Sequence, residues 1–575
     1  MSQGAEYAST LGRPSARPSP RRRRLLTRTL PLAGVAVLAF AAGIVTATGP
    51  GRAERRLVTS YVGAWARRDF TQMYNLLDPA SKRGLSEPAF RAAFAAAAGT
   101  ATLAAVVPLH VGSRQGDLVP VSVRVRTNEF GTLRETLEVP LVGSGSVARV
   151  GFSDRLLFPG LLPGERLTRQ VALAPRAELL ARNGIPLAQG PNRTSPIPDV
   201  ASEITGSLGP IPPGQAAAYA AAGYPPTAQV GLTGLERIFQ SQLAGTPGGT
   251  LLAGSRALAR STPESGLPVT TTIDPAIERA MTTAMAGRYA GMAAMDPRTG
   301  EVLGLAGVAF SALQPPGSTM KIITATGALE AGIVKLSDTF PVESGAPVEG
   351  VTISNAGGEL CGGTFVQAFA NSCNSVFAPL GAKLGAVRLV NVAERFGFNQ
   401  PTSIPGAEES LIPSAATIGD ALAVGSSAIG QGMVQTTALQ MTDVAATIAM
   451  GGRRPIPTLQ LHQTPRFVHV TSRHIAHLVQ ELMIAVVAYG TGTSAQIPGV
   501  VVAGKTGTAE LRNTQGPDAG PNASSPANTD AWFVGYAPVG HPRIVVGALF
   551  PEQGAGGATA APAVHDVLAA ALHRG

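Results

Sequence analysis

Ser318 and Lys321 place a hydroxyl and an amine three residues apart, after the turn Pro315-Pro316-Gly317 and before the apolar run Ile322-Ile323-Thr324-Ala325. The prolines block a helix upstream, so the spacing predicts a helix from about Ser318 to about Gly332. At such an N-terminus, unpaired N–H groups and the dipole favour developing negative charge, and the i,i+3 spacing sets both side chains on one face. That chemistry is nucleophilic: a serine oxygen attacks a carbonyl and a neutral lysine takes its proton. An isolated Ser-x-x-Lys more often caps a core helix and carries a solvated charge. Composition favours the chemical reading. Of 45 basic residues 40 are arginine and five are lysine (Lys82, Lys321, Lys335, Lys383 and Lys505), and only Lys321 has serine three residues before it. Arginine keeps its proton at working pH, whereas a desolvated lysine can release it.

Two further islands follow in order. Asn371-Ser372-Cys373-Asn374 stands in helical text, with Phe365, Phe369 and Phe377 spaced for one face, and Lys505-Thr506-Gly507-Thr508 closes a valine-rich strand. Taken singly, Ser372 and Asn374 read as helix-surface or capping residues, and Thr506-Gly507-Thr508 as an ordinary strand end. Ser-x-x-Lys, Ser-x-Asn and Lys-Thr-Gly in this order, their first residues 54 and 133 apart, resemble the active site of penicillin-binding transpeptidases and their β-lactamase relatives. Gly430-Gln-Gly432, Leu439-Gln-Met441, Gly490-Thr-Gly492 and Asp530-Ala-Trp-Phe-Val-Gly535 are similar to the same family, and the resemblance covers about residues 165–575.

The resemblance implies a peptidoglycan D,D-transpeptidase, with D,D-carboxypeptidase activity where water replaces the amine. Ser318 attacks the carbonyl between two D-alanines of a stem peptide, and Lys321, neutralised by burial and by the cation Lys505, takes its proton. Ser372 passes that proton to the departing D-alanine, while Asn374 orients Lys321. Lys505, Thr506 and Thr508 hold the terminal carboxylate, and Gly507 leaves room beside the strand. The oxyanion sits between the backbone N–H groups of Ser318 and Thr508. The implied partners are stem peptides, β-lactams trapped at Ser318, a membrane and a cell-wall glycosyltransferase. No cofactor or metal is implied. His474 and His477 are spaced i,i+3, but without a third ligand nearby they read as a polar helix face.

The elements that must position these residues follow from the text. Seven arginines and one acid precede Leu30, so the net charge of +9 falls to +3 on the other 546 residues, which disfavours nucleic acid as a partner. Residues 1–29 form a basic cytoplasmic tail. Residues 30–48 carry no charge and are long enough for a single transmembrane helix, against a cleaved signal peptide, placing the rest outside the plasma membrane. Residues 53–163 read as helices to about residue 110 and then alternating strands, a small α+β domain. With the closing Leu156-Leu-Phe-Pro-Gly-Leu161 it resembles the nuclear-transport-factor-like domain of methicillin-resistance-type, class B (monofunctional) penicillin-binding proteins, a spacer or pedestal. Residues 164–265, with Arg176 to Ala188 and Gly231 to Glu236, resemble the pedestal or dimerisation domain of that family, although Ala181 replaces its usual aspartate. Residues 266–575 read as a strand at Val269–Asp274, a helix at Pro275–Ala286, a hairpin at 291–306, a helix-rich section and closing strands. This is an α/β/α domain with an all-helical subdomain.

Cys361 and Cys373 are the only cysteines. Outside the cytoplasm they are expected to form a disulfide, the alternative being two reduced core thiols.

Rival readings come from other classes. Gly499 to Thr506 matches the phosphate-loop pattern G-x-x-x-x-G-K-[ST], but Val-Val-Val-Ala prefers extended geometry and Gly507 falls where a helix must begin. A β-lactamase or penicillin sensor shares the three islands, and a non-catalytic cell-wall scaffold would use residues 53–265.

Overall fold

Free N–H groups at the starts of the first helices are met by side chains, which is why the chain turns where it does. In the computed structural model, which describes residues 51–512 and 525–573, α1 (Arg52–Ala66) is followed by α2 (Phe70–Asn75), α3 (Pro79–Gly84) and α4 (Glu87–Thr100), the last three capped by Asp69, Asp78 and Ser86. The basic tail 1–29 and the expected membrane helix 30–48 lie outside the described residues. Among the described residues no single helix is long and apolar enough to cross a membrane.

By its internal contacts the described chain forms two units. In the first, β1 (Leu103–Val111), β2 (Leu118–Thr127), β3 (Thr132–Val142) and β4 (Arg149–Val150) make an antiparallel sheet in that order. Val119, Val121, Val123 and Val125 all point inward, against Tyr61, Trp65, Phe90 and Phe94. The helical reading to residue 110 is corrected at β1, whose half-buried pattern hides its period and whose pairing with β2 sets the conformation. The same unit takes β5 (Leu167–Ala172), β6 (Gly248–Ala253) and β7 (Arg256–Ser261), a three-stranded sheet in which Leu251 and Ala253 join that core.

The second unit holds residues 175–209, 229–245 and 265–575, so residues 164–265 are shared between the units. Leu179, Leu187, Val200 and Leu235 bury their side chains in its core. The strand expected over Val269–Asp274 is only Val269–Thr270, because Asp274 caps α5 (Pro275–Met285). Next come β8 (Gly291–Asp296), β9 (Glu301–Gly307) and α6 (Lys321–Glu330), then α7 (Phe365–Ala370), α8 (Asn374–Leu384), α9 (Ala438–Ala449) and α10 (Arg473–Ala488), and finally β10 (Ala503–Glu510), β11 (Thr529–Ala537), β12 (Ile544–Phe550) and α11 (Gly556–Leu572).

The five strands run β9-β8-β12-β11-β10, antiparallel throughout, and β10 is an edge. Ile277 and Met281 of α5 and Val564, Val567 and Leu568 of α11 cover one face with Phe533 and Val546. The other face, with Trp532, Val534 and Tyr536, packs against α6, α9 and α10 in the largest core. Three layers result, but the subdomain after α6 is not all-helical as expected: Thr339–Glu343 pairs with Cys361–Thr364 and Gly345–Val348 with Val351–Ser354, two antiparallel pairs that precede α7. Val486 of α10 and Ala503 of β10 belong to the same core, so the edge strand with the Lys-Thr-Gly island is backed by helix rather than by solvent.

Candidate active site

The Ser318 turn is built by close backbone approach. Instead of a helix from Ser318 to Gly332, Gly317–Met320 form one 3₁₀ turn leading into α6, which ends at Glu330. The tighter turn follows from Gly317, whose φ of +52° breaks the helical path. A Cβ on Gly317 would lie 2.8 Å from Thr508 O, and one on Gly507 would lie 2.8 Å from both Pro316 O and Trp532 Cβ. The half-buried Ser318 is thereby set against β10.

Ser372 does not lie within a helix, and Asn374 is the first residue of α8. They stand at the break between α7 and α8, where Ser372 takes φ +62°. Neither side chain caps a helix here: the N-cap of α8 is Cys373, without a side-chain cap bond, and the Ser372 hydroxyl and Asn374 amide face the lysines instead. Ser372 N–H donates to Phe369 O at 3.1 Å and Cys373 N–H to Ala368 O at 2.9 Å, closing α7. Cys373, between the two motif residues, is disulfide-bonded to Cys361, with Cα atoms 5.4 Å apart.

The structure brings the three islands together. Lys321, fully buried, donates from Nζ to Ser372 O at 2.6 Å, Ser372 Oγ at 3.2 Å and Asn374 Oδ1 at 2.7 Å. Asn374 Nδ2 donates to Ser354 O at 3.0 Å, which fixes the amide so that its oxygen faces Lys321. Lys505, also fully buried, reaches Ser372 Oγ at 2.9 Å and Thr506 O at 3.0 Å. Burial first, and then the cation Lys505, pull the Lys321 amine well below its ordinary range. Burial also brings Lys505 down to about 7. The rings of Phe377 and Phe369 stand 5.6 Å from the Lys321 and Lys505 nitrogens, respectively, and supply the apolar walls.

Along β10 the backbone direction can be read from its end. The Gln431 side-chain amide lies against both backbone groups of Glu510 on the open edge, and the orientation assigned to it is the one that satisfies both, nitrogen donating to Glu510 O at 3.2 Å and oxygen accepting Glu510 N–H at 2.9 Å. Alternate residues of an antiparallel strand face alternate sides, so the N–H and C=O groups of Thr508 and Thr506 face that edge too. The backbone of Thr508 therefore faces the edge against which the Gly317 turn packs. The Thr508 hydroxyl accepts Gly556 N–H at 3.4 Å. The Thr506 hydroxyl lies 2.5 Å from Thr491 Oγ1, which sequence reasoning had placed only in the Gly490-Thr-Gly492 island without a role.

No helix follows Thr506; the phosphate-loop letters fall on an approach to a strand that runs on to Glu510. His477 pairs with Glu481 at 3.3 Å on an exposed face of α10. The assembled group can activate a serine hydroxyl, stabilise an oxyanion and bind a carboxylate.

Residues 290–569 match the family model of the penicillin binding protein transpeptidase domain, and residues 166–257 match the penicillin-binding protein dimerisation domain. The chain is 35% identical over 294 residues to the peptidoglycan D,D-transpeptidase PbpA of Mycolicibacterium smegmatis, covering 46% of this chain and 57% of that protein. The chain thus spans little more than half the length of that curated relative. Among solved structures it is similar to the D,D-transpeptidase domain of a peptidoglycan glycosyltransferase from Eggerthella lenta, with TM-score 0.57, 27% identity and coverage of 70% of this chain and 99% of that one. Penicillin-binding protein A of M. tuberculosis, as a ceftriaxone acyl-enzyme complex, gives TM-score 0.55 and 26% identity over 69% of this chain and 98% of that one. With a dimerisation domain followed by a transpeptidase domain, the chain belongs to the class B penicillin-binding protein family.

Proposed function

We propose that this chain is a serine D,D-transpeptidase that cross-links peptidoglycan stem peptides. Ser318 Oγ bonds to the carbonyl carbon of the penultimate D-alanine as its proton passes to Lys321. The C–N bond then breaks, and the terminal D-alanine leaves with a proton delivered through Ser372. An amine of a second stem takes the acyl group and regenerates Ser318. Lys505, Thr506 and Thr508 hold the donor carboxylate, and the N–H groups of Ser318 and Thr508 hold the oxyanion. The observation that carries this reading is the contact of both buried lysines with the Ser372 hydroxyl, at 3.2 and 2.9 Å. The names of the relatives support it.

In the same reading residues 30–48 anchor the protein in the plasma membrane, with residues 1–29 in the cytoplasm and the catalytic domain outside. The N-terminal α+β unit is a nuclear-transport-factor-like spacer, and a cell-wall glycosyltransferase supplies glycan strands beside it. Mass spectrometry after exposure to a labelled penicillin tests the chemistry. One adduct is expected on the peptide holding Ser318, absent in Ser318→Ala. No adduct sinks the reading, and an adduct hydrolysed within seconds assigns a β-lactamase instead.

A further inference from the structure

The two N–H groups assigned to the oxyanion belong to separate elements, Ser318 to the 3₁₀ turn and Thr508 to an edge strand. Such a hole stabilises charge only if its donors are held in place before the reaction. One dipeptide reaches both. Gly430 O accepts the Gly317 N–H at 3.0 Å, one residue before Ser318. A side chain on Gly430, whose φ is +77°, would collide with Gly317 O, so this approach needs glycine. The adjacent Gln431 engages both backbone groups of Glu510, two residues beyond Thr508 on the same edge. Its own N–H donates to Ser426 O at 3.0 Å, tying the brace to the end of helix Ala421–Ala428.

We propose that Gly430-Gln431 braces the oxyanion hole, with Gln431 as a positioning residue that fixes the Thr508 N–H relative to Ser318 through Glu510. The proposal rests on the acyl-transfer reading above. Gln431 itself touches no reacting atom. Its amide supplies one donor and one acceptor where a neighbouring strand would otherwise pair with β10.

The experiment compares the full chain with Gln431→Met and Gln431→Glu, resolving penicillin acylation into the dissociation constant of the non-covalent complex and the rate constant of acyl-enzyme formation. Gln431→Met is expected to lower the rate constant by roughly 10- to 100-fold, as when one oxyanion donor is misplaced, while the dissociation constant changes by less than about threefold. Gln431→Glu adds a readout that a merely structural role does not move. A protonated carboxyl donates and accepts as the amide does, whereas a carboxylate repels Glu510 O. Its rate constant relative to wild type is therefore expected to rise as pH falls toward the ordinary carboxyl range.

The proposal is overturned by a Gln431→Met rate constant within twofold of wild type, by equal losses in affinity and rate, or by a Gln431→Glu ratio that ignores pH. If Gln431→Met does not fold, the Gln431→Glu ratio alone decides. Wild-type labelling at Ser318 keeps the acyl-transfer reading standing when the brace fails; an unlabelled wild type overturns both.

Discussion

Nζ of Lys505 stands 2.9 Å from Oγ of Ser372, and Lys321 Nζ reaches that same hydroxyl at 3.2 Å. One serine thus couples two amines that the proposed reaction needs in opposite protonation states.

Acylation should therefore follow a bell-shaped pH profile. Lys321 acts as a base only when neutral, so activity appears as pH rises through its lowered pKa. Lys505 holds a carboxylate only as a cation, so activity falls again as pH rises through about 7 in the free enzyme. Lys505→Arg keeps the charge and should remove the alkaline fall while leaving the acid limb in place. The measurement is the second-order acylation constant across pH. An unchanged alkaline limb in Lys505→Arg would show that Lys505 does not set it.

Asn374→Asp puts a carboxylate where Asn374 Oδ1 now accepts Lys321 Nζ at 2.7 Å. An opposite charge at that distance favours the ammonium form, so the Lys321 pKa rises. The acid limb should move to higher pH, with neutral-pH acylation down by roughly 100-fold or more, within the usual reach of general-base catalysis. A limb that stays in place would remove Lys321 as the base.

The disulfide closes a twelve-residue interval and pins the residue between Ser372 and Asn374. Loop-closure entropy for so short a loop gives about 2–3 kcal/mol. Replacing both Cys361 and Cys373 with serine should lower the melting temperature and slow acylation together, because Ser372 holds a left-handed conformation in that turn. Full acylation by the doubly substituted protein would separate the crosslink from the site.

Glu278, on α5, accepts Leu305 N–H at 2.8 Å while Oε1 has no partner among the described residues, and burial raises its pKa from 4.5 to about 8. A raised acid pKa in the folded state gives stability that is full below 4.5 and lost as pH rises through about 8. Glu278→Gln should thus differ little from wild type near the acid end and melt roughly 5 °C higher at the alkaline end. Equal melting shifts at both ends would contradict the assignment.

Much of the site is legible because its groups are local. Ser-x-x-Lys needs only helical geometry to put two side chains on one face, and Lys505 to Thr508 needs only a strand. The break at Ser372 is less so: its phenylalanines continue a helical period across residues 371–373, and only the φ of +62° shows that the helix stops. β1 hid for a similar reason, since its half-buried residues carry no clear alternation. The division of residues 164–265 between two cores was not readable, because short strands acquire their partners only through packing.

The residues alone determined the candidate reacting groups, their order and the type of domain, since each island carries its chemistry in its spacing. The tertiary structure decided that the cysteines are joined, that Lys321 and Lys505 meet across Ser372, and that both amines lie out of water. Proton affinity depends on distance and desolvation, and those exist only once Ser372 and Lys505, 133 residues apart in the chain, are packed together.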